Sequence, residues 1–409
     1  MALALTLPRQ DAPRPLRILM VSDVYLPRIN GVSTSIALFR AELEQLGHEV
    51  DLLVPGYGKG GDDPDPEPGV YRVPGWAPWF DPEDRLMSGR RLRALRPRLV
   101  DAGYDLIHVQ TPFRAHFFGV ALGRELGIPV LESYHTLFEA YFEHYLPWLP
   151  RRWLRAAARG FSRYECKQVD AIVVPSQAMA ATLANYGVQS PVHTLPTGLE
   201  PEAFEPADGS RFRARLGLDA ATPLLLFVGR VAHEKSIDLL LHMLRSLLPR
   251  VPQAQLAIVG DGPARMSLEQ LGARLGLDDH LHWTGYLPRN VLLREAYRAA
   301  DAFVFASLTE TQGLVLLEAM AQGVPCVAVA AQGTRDLLEE GAGALIAPFE
   351  ADAFAARVAE LLTDGRMRAQ LGVAARDHAS YWSAEASARR LDELYRSLTA
   401  ASEARRWSD

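Results

Sequence analysis

Two cations stand five residues apart, directly after an apolar run in the second half of the chain. The run, Leu224–Val228, is followed by Gly229, Arg230 and then Lys235. An arginine offers a planar fork of hydrogen-bond donors and a lysine offers a compact charge, so the two can hold a diphosphate. The alternative is a pair of solvated cations near a helix start. We favour the diphosphate, because cations at the positive end of a helix dipole are unfavourable unless an anion joins them.

Two carboxylates follow a second apolar run. Glu310 lies in the loop after that run, and Glu318 lies eight residues later on the helix that the loop begins. The first residues of this helix offer main-chain N–H donors that have no partner within the helix; these are Gln312, Gly313 and Leu314. The carboxylates could accept hydrogen bonds from the hydroxyls of a sugar and of a ribose. Spacing alone leaves the alternative open, in which Glu310 caps the helix and Glu318 is a surface residue.

Two loops in the first half could also contact a ligand. Asn30, Gly31 and Val32 lie between a strand and a helix, where a glycine lets main-chain N–H groups approach an anion. A tight turn that needs glycine is the alternative. His135 follows an apolar run and could hydrogen-bond to a ligand, but a histidine satisfied inside the protein fits the pattern equally well.

A metal site is not expected. His135 superficially resembles part of a metal cluster with three residues that follow it, which are Glu139, Glu143 and His144. Their spacing is loose and no cysteine lies among them, whereas zinc sites combine histidine, cysteine and carboxylate ligands at short regular spacings. We therefore predict no metal ligands.

Arginines recur on one face of a predicted helix in the first half of the chain. Their spacings are 3, 4 and 4, and they are Arg152, Arg155, Arg159 and Arg163. Such a helix can lie on anionic lipid with tryptophan at the interface, which gives Arg152, Trp153, Arg155 and Arg159 as a candidate membrane contact. The alternative is an ordinary amphipathic helix with a buried apolar face and a solvated arginine face.

Strands and helices must alternate to place these loops. Arg17–Val21 is an apolar run, a helical stripe follows from Val32 to Leu46, and residues 49–54 form the next strand. A βαβ order of this kind predicts a parallel sheet, and a second such series begins at Leu224. We predict an α/β protein with two Rossmann-like, doubly wound domains facing each other across a cleft, since ligands bind at the carboxyl ends of parallel strands.

The domains are predicted at residues 1–200 and 201–380, followed by a helical region at 381–409. The linker is placed between residues 196 and 223, and residues 55–82, rich in proline, glycine and aspartate, are predicted to be an irregular surface loop. A chain of 409 residues exceeds one ordinary core, which agrees with two domains.

Composition excludes several classes of function. The net charge is −6, from 43 basic and 49 acidic residues, which argues against binding to nucleic acid. Two cysteines, Cys166 and Cys326, cannot form a disulfide scaffold. No basic region precedes the apolar residues near the start, and the longest apolar stretch is interrupted by Glu318 and Gln322. We expect a cytoplasmic protein that could contact the inner face of a membrane.

Taken together, these motifs resemble the retaining family-4 glycosyltransferases of GT-B architecture. The resemblance extends from Ile18 to the last helices, and its most specific part is Glu310-x7-Glu318 together with the upstream cations. It implies a nucleotide-sugar donor as substrate, held mostly by the second domain, with no metal or other tightly bound cofactor. It also implies that the residues 381–409 cross back to the first domain.

The resemblance assigns a role to each candidate residue. Arg230 and Lys235 would bind the diphosphate and stabilise the leaving nucleotide, with Gly229 beside them. Glu318 would bind the ribose hydroxyls, and Glu310 would contact the donor sugar together with the main chain of Gln312, Gly313 and Leu314. Gly31 would approach the diphosphate from the first domain. His135 would contact the sugar near the reacting carbon.

Within this family the sequence is most similar to lipid glycosyltransferases. Segments such as Tyr134–Glu139 and Thr309–Leu314 resemble those of bacterial diacylglycerol glucosyltransferases, with lipid mannosyltransferases close behind. The leading prediction is transfer of a hexose from UDP-glucose or GDP-mannose to a lipid such as diacylglycerol. A soluble sugar or polysaccharide acceptor and a non-enzymatic nucleotide-sugar sensor are the alternatives.

Overall fold

A computed structural model describes residues 14–28, 30–58, 67–76, 85–135, 150–288 and 291–406. The chain divides into two compact units. The first unit combines Met1–Glu132 with Asp392–Asp409, and the second unit is Ser133–Leu391. The domain boundaries expected near residues 200 and 380 stay a prediction.

The first unit is built on a mainly parallel sheet. Its strands are β1 (Arg17–Val21), β2 (Glu49–Gly56), β3 (Val70–Trp76), β4 (Leu86–Met87), β5 (Leu106–Val109) and β6 (Val130–Ser133). They lie in the order β4-β3-β2-β1-β5-β6, and among them only β3 and β4 pair in antiparallel fashion. Ile18 to Val21 are all buried, as expected for a parallel strand covered on both faces.

Helices of the first unit include α1 (Gly31–Gln45), α2 (Gly89–Asp101) and α3 (Arg114–Leu126). A capping box marks the start of helix α1. The Asn30 side chain accepts a hydrogen bond from the Ser33 N–H, and the Ser33 hydroxyl accepts one from the Asn30 N–H, both at 2.9 Å. The end of the chain joins this unit through a buried hydrogen bond of 2.6 Å between the Tyr395 hydroxyl and His108 Nδ1.

A six-stranded, fully parallel sheet dominates the second unit. Its strands are β9 (Leu224–Val228), β10 (Gln255–Val259), β11 (Leu281–Gly285), β12 (Ala302–Phe305), β13 (Cys326–Ala328) and β14 (Ala344–Ile346). They lie in the order β11-β10-β9-β12-β13-β14. This is the doubly wound order, whose switch point lies between β9 and β12. The same unit holds a parallel pair, β7 (Ala171–Val174) and β8 (Val192–Thr194).

Helices cover the strands of the second unit. They are α4 (Arg151–Cys166), α5 (Gln177–Asn185), α6 (Gly209–Leu216), α7 (Ile237–Leu247), α8 (Arg265–Arg274), α9 (Val291–Ala299), α10 (Leu314–Ala321), α11 (Ala351–Thr363) and α12 (Gly365–Ser380). Helix α13 (Ala384–Arg406) begins in this unit and ends in the first. The apolar residues that recur at helical spacing along α7 are buried: Ile237, Leu240, Leu241, Leu244 and Leu247.

The predicted α/β class with two parallel sheets is confirmed, with one local correction. Residues 55–82 were expected to form an irregular loop, but they contain strand β3, which pairs with β2. Pro74 and Gly75 near its end hide the strand pattern of Val70, Tyr71 and Val73. The segment predicted to be the linker also contains helix α6, capped by the Asp208 side chain.

The main chain at Gly198 lies so close to the residue before α13 that a side chain does not fit there. A Cβ there would lie 2.3 Å from the main-chain oxygen of Ser383, where Leu199 and Ser383 form a bridge. We expect Gly198→Ala to lower the free energy of unfolding by about 1–3 kcal/mol, since the main chain must move. Thermal unfolding followed by calorimetry measures this. Gly365→Ala is the control, because a Cβ at Gly365 would meet nothing within 4 Å; equal melting temperatures for both variants would contradict the prediction.

Candidate active site

The candidate residues of the second unit gather at its switch point. Gly229 and Arg230 follow β9 directly, and a 3₁₀ turn at His233–Lys235 leads into α7. Glu310 lies in the loop that follows β12, the strand next to β9. Both loops therefore emerge at the carboxyl ends of neighbouring strands, where doubly wound sheets bind their ligands.

An ion pair joins the two loops. The Lys235 ammonium contacts the Glu310 carboxylate, and the two side chains are only 21% and 15% exposed. A second link comes from the Ser307 hydroxyl, which donates a hydrogen bond of 3.3 Å to the main-chain oxygen of Glu234. Lys235 thus shares a site with a carboxylate that lies 75 residues away in the sequence.

Arg230 is the more exposed cation, and it contacts Glu234 four residues later. Burial alone would raise the pKa of the Glu234 carboxyl, but its own main-chain N–H and the charges of Arg230 and Lys235 outweigh burial and lower that pKa. Glu234 is therefore ionised at neutral pH. The sequence prediction did not include Glu234, although an Arg–Glu spacing of four could have indicated the pair.

The loop that carries Glu310 is held on two sides. The buried Gln312 amide accepts the Thr197 N–H at 3.0 Å and donates to the Thr197 carbonyl at 2.6 Å. On the other side, the Gly333 N–H donates to the Glu310 carbonyl at 2.9 Å. Since the Gln312 side chain is engaged with Thr197, its predicted contact with a ligand must come from its main chain.

Helix α10 begins at Leu314, and its N-cap is Gly313 with φ of +98°. This conformation favours glycine, because a Cβ would be strained there. Glu310 is therefore not the N-cap, which removes the alternative of a simple capping role. Glu318 is not a solvated surface residue either, since it is partly buried and accepts a hydrogen bond of 2.6 Å from the Tyr297 hydroxyl.

His135 also belongs to the second unit and follows strand β6. Its Nε2 atom is buried, and no residue that the structure describes hydrogen-bonds to it. Burial lowers the pKa of the imidazole from 6.5 to about 4, so the ring is neutral at physiological pH. Glu139, Glu143 and His144, which were weighed with His135 as metal ligands, lie outside the described residues.

Gly31 lies in the first unit, as the first residue of α1. Its main chain is helical, and a Cβ at this position would meet nothing within 4 Å. Neither a special turn nor packing therefore requires glycine here. Close approach of a ligand to the helix start stays the prediction for this residue.

Helix α4 has both faces that the sequence suggested. Leu154 and Ala158 are buried, whereas Trp153 is 61% exposed. The arginines are exposed and line a cavity of about 460 Å³, formed by Arg152, Arg155, Ala156, Arg159 and Arg163. The Arg152 guanidinium lies 6.0 Å from the centre of the Trp153 ring. The apolar face thus packs inside the protein, while the arginines and one tryptophan face outward.

Among the described residues, no helix has the length and apolar character needed to cross a membrane.

Fold and site together define a Rossmann-like α/β protein with cations and carboxylates at a switch point. Two family models match the chain, "Glycosyltransferase Family 4" over residues 29–203 and "Glycosyl transferases group 1" over residues 208–378. The chain belongs to this family of GT-B glycosyltransferases, which confirms the predicted family and the prediction of an enzyme.

Individual relatives agree with this family. Alpha-monoglucosyldiacylglycerol synthase of Streptococcus pneumoniae is 31% identical over 321 residues, which cover 76% of this chain and 71% of the relative. A GDP-mannose-dependent alpha-mannosyltransferase of Mycobacterium tuberculosis is 30% identical, over 81% of this chain and 84% of the relative. Among solved structures, HepE of Anabaena in complex with UDP-glucose has a TM-score of 0.73 at 20% identity, covering 94% of this chain and 100% of that one. This last likeness shows the fold.

The low pKa of His135 makes stability depend on pH. Because the folded pKa lies below that of the unfolded chain, the folded protein binds fewer protons between pH 6.5 and 4. The folded state therefore has its full stability above pH 6.5, and it loses stability as pH falls towards 4 and His135 must take up a proton. Relative to His135→Gln, the wild type should therefore lose stability over this range, by at most about 3 kcal/mol.

Urea unfolding of both proteins between pH 4 and 7 measures the difference. Asp23, whose pKa burial raises to about 6, acts in the opposite sense but is present in both proteins and cancels. Parallel pH profiles for the wild type and the variant would contradict the neutral state assigned to His135.

Proposed function

We propose that this glycosyltransferase moves a hexose from a nucleotide diphosphate to a lipid acceptor such as diacylglycerol, with retention of the anomeric configuration. The observation that supports it most is the grouping of Arg230, Lys235 and Glu310 at the switch point of the second unit. Two cations suit a diphosphate, and a neighbouring carboxylate suits the hydroxyls of the sugar attached to it.

The names of relatives support particular substrates. One relative is a monoglucosyldiacylglycerol synthase, another is named as GDP-mannose-dependent, and a structure of the same fold contains UDP-glucose. UDP-glucose and GDP-mannose are therefore the two donors to test, and diacylglycerol is the first acceptor. A soluble sugar or polysaccharide is the second candidate acceptor.

In this proposal the residues of the site divide the donor among them. Arg230 and Lys235 bind the diphosphate beside Gly229. Glu318 accepts hydrogen bonds from the ribose. The sugar contacts Glu310, His135 and the main chain of Gln312, Gly313 and Leu314.

The chemistry follows from these contacts. The acceptor oxygen forms a bond to the anomeric carbon while the bond from that carbon to the diphosphate oxygen breaks on the same face. The proton of the acceptor hydroxyl passes to the departing diphosphate. Arg230 and Lys235 stabilise the charge that develops on this leaving group. A neutral His135 can hydrogen-bond to the sugar without repelling the positive charge that grows at the anomeric carbon.

We expect Lys235→Ala to lower the transfer rate by about 10²–10³-fold, since one preorganised group for the leaving-group charge is lost. The assay incubates the protein with UDP-glucose or GDP-mannose and diacylglycerol in anionic micelles. Nucleotide release and lipid products are read by mass spectrometry. Arg274→Ala is the control, because it removes an exposed cation of the same unit outside the site.

Each outcome of this assay bears on the proposal. A hexosyl lipid formed from one donor supports it and identifies the donor. Release of nucleotide without a lipid product favours a soluble acceptor. Donor binding without any release contradicts transfer.

Because Arg230 and Lys235 supply the positive charge, addition of EDTA should leave the transfer rate unchanged. A loss of activity that a divalent cation restores would contradict this role of the two cations.

We also propose that helix α4 contacts an anionic membrane surface through Arg152, Trp153, Arg155 and Arg159. The exposed arginines give the electrostatic attraction, and the exposed Trp153 has the amphipathic ring typical of membrane interfaces. A lipid acceptor resides in a membrane, so such a contact would bring the enzyme to its substrate.

Replacing Arg152, Arg155 and Arg159 with glutamate should abolish flotation with vesicles that contain anionic lipid. Each basic residue near such a surface contributes about 1 kcal/mol to binding. Reversing three charges therefore outweighs the attraction that the rest of the helix supplies. The matched control replaces three other exposed arginines of the same unit, Arg245, Arg250 and Arg274, with glutamate. Equal flotation of the two triple variants would place the membrane contact elsewhere.

A further inference from the structure

Tyr297 contacts one of the carboxylates of the site from inside the core. Its hydroxyl donates a hydrogen bond of 2.6 Å to Oε2 of Glu318, and the residue is only 1% exposed. Tyr297 lies on α9 and Glu318 on α10, so the bond joins two helices of the second unit. In the sequence, nothing distinguishes Tyr297 from the other buried residues of this amphipathic helix.

The core fixes the position of this hydroxyl. The Tyr297 ring packs against the Phe303 ring, with 5.8 Å between the ring centres. Phe303 lies on β12 and pairs with Leu226 of β9 on one side and Cys326 of β13 on the other. A tyrosine has two side-chain torsions, and both are restricted once the ring is packed. The hydroxyl is therefore a rigid donor anchored to the strands that flank the switch point.

A glutamate without such an anchor would not hold one orientation. Its side chain has three torsions and loses conformational entropy when a ligand fixes it. A hydrogen bond to an ionised group is stronger than a neutral one, so a buried donor can select one rotamer of Glu318 in advance. A carboxylate has about four acceptor positions, so accepting the Tyr297 hydroxyl is compatible with hydrogen bonds to ribose hydroxyls.

We infer that Tyr297 is a positioning residue, which orients the Glu318 carboxylate for the ribose hydroxyls of the nucleotide donor. This inference rests on the proposed function, since it takes Glu318 as the ribose-binding residue. The two nearby residues then have separate tasks. Glu318 makes the contact, and Tyr297 lowers the entropy that the contact would otherwise cost.

The test compares ribose with deoxyribose nucleotides. Calorimetric titration with UDP and 2′-deoxy-UDP, and with the corresponding guanosine pair, gives the preference of each variant for ribose. For Tyr297→Phe we expect affinity for the ribonucleotide to fall about threefold to tenfold, while affinity for the deoxynucleotide changes by less than about twofold. Glu318→Gln should lose the same preference. Adding Tyr297→Phe to Glu318→Gln should cause no further loss, since the two residues act through one contact.

A second buried tyrosine provides the structural control. Tyr395→Phe removes a hydroxyl that is 2.6 Å from His108 Nδ1 in the first unit, so it reports the effect of losing a buried hydrogen bond far from Glu318 in sequence. This variant should leave the preference for ribose unchanged, whether or not it lowers the melting temperature. A variant that lowers stability alone would weaken both nucleotides equally.

The results separate failure of the inference from failure of the proposed function. If the wild type prefers ribose and Glu318→Gln loses that preference, but Tyr297→Phe keeps it, the inference is overturned and the ribose role of Glu318 stands. An equal loss for both nucleotides in Tyr297→Phe also overturns it, because that is a purely structural effect. A wild type that binds neither nucleotide overturns the proposed function together with the inference.

Discussion

The ion pair between Lys235 and Glu310 is the interaction on which the arrangement of the site depends. It joins the loop after β9 to the loop after β12, and both side chains are mostly buried. A buried ion pair is a poor source of stability, because the desolvation of two charges offsets their attraction. Its position at the switch point is better explained by ligand chemistry than by folding. The pair holds a cation and a carboxylate in direct contact, and the proposed function assigns them to the diphosphate and the sugar of one donor.

The elements around the pair explain how two loops hold charged groups in place. Strand β9 is entirely buried and pairs on both sides, so the residues that follow it begin from a fixed point. The Gln312 amide is fastened to both main-chain groups of Thr197, and Gly313 has the positive φ that lets α10 start directly afterwards. Rigid elements therefore position the site, and of its two cations Arg230 is the more exposed.

The sequence allowed prediction of what is local. The spacing of Arg230 and Lys235 within one loop, the helical stripe from Val32 to Leu46 and the alternation of strands and helices are patterns within about 20 residues. Contacts between distant segments could not be predicted in this way. Glu318 and Tyr297 lie on different helices, and Gln312 meets Thr197 at a separation of 115 residues. Strand β3 was missed for another reason, since Pro74 and Gly75 lie inside it.

Helix α4 shows why the packing of one face limits what the other face can do. Leu154 and Ala158 are buried in the protein, so the helix cannot rotate its apolar face into a lipid layer without unfolding. What remains outside is a row of arginines and the exposed Trp153. Membrane contact through α4 would therefore be mainly electrostatic, with a shallow contribution from one aromatic ring. Screening shortens such attraction to about 8 Å at physiological ionic strength, so binding of this kind weakens with salt and is readily reversible. Reversibility would suit the proposed transfer to lipid, because the enzyme would have to leave one product to reach the next acceptor.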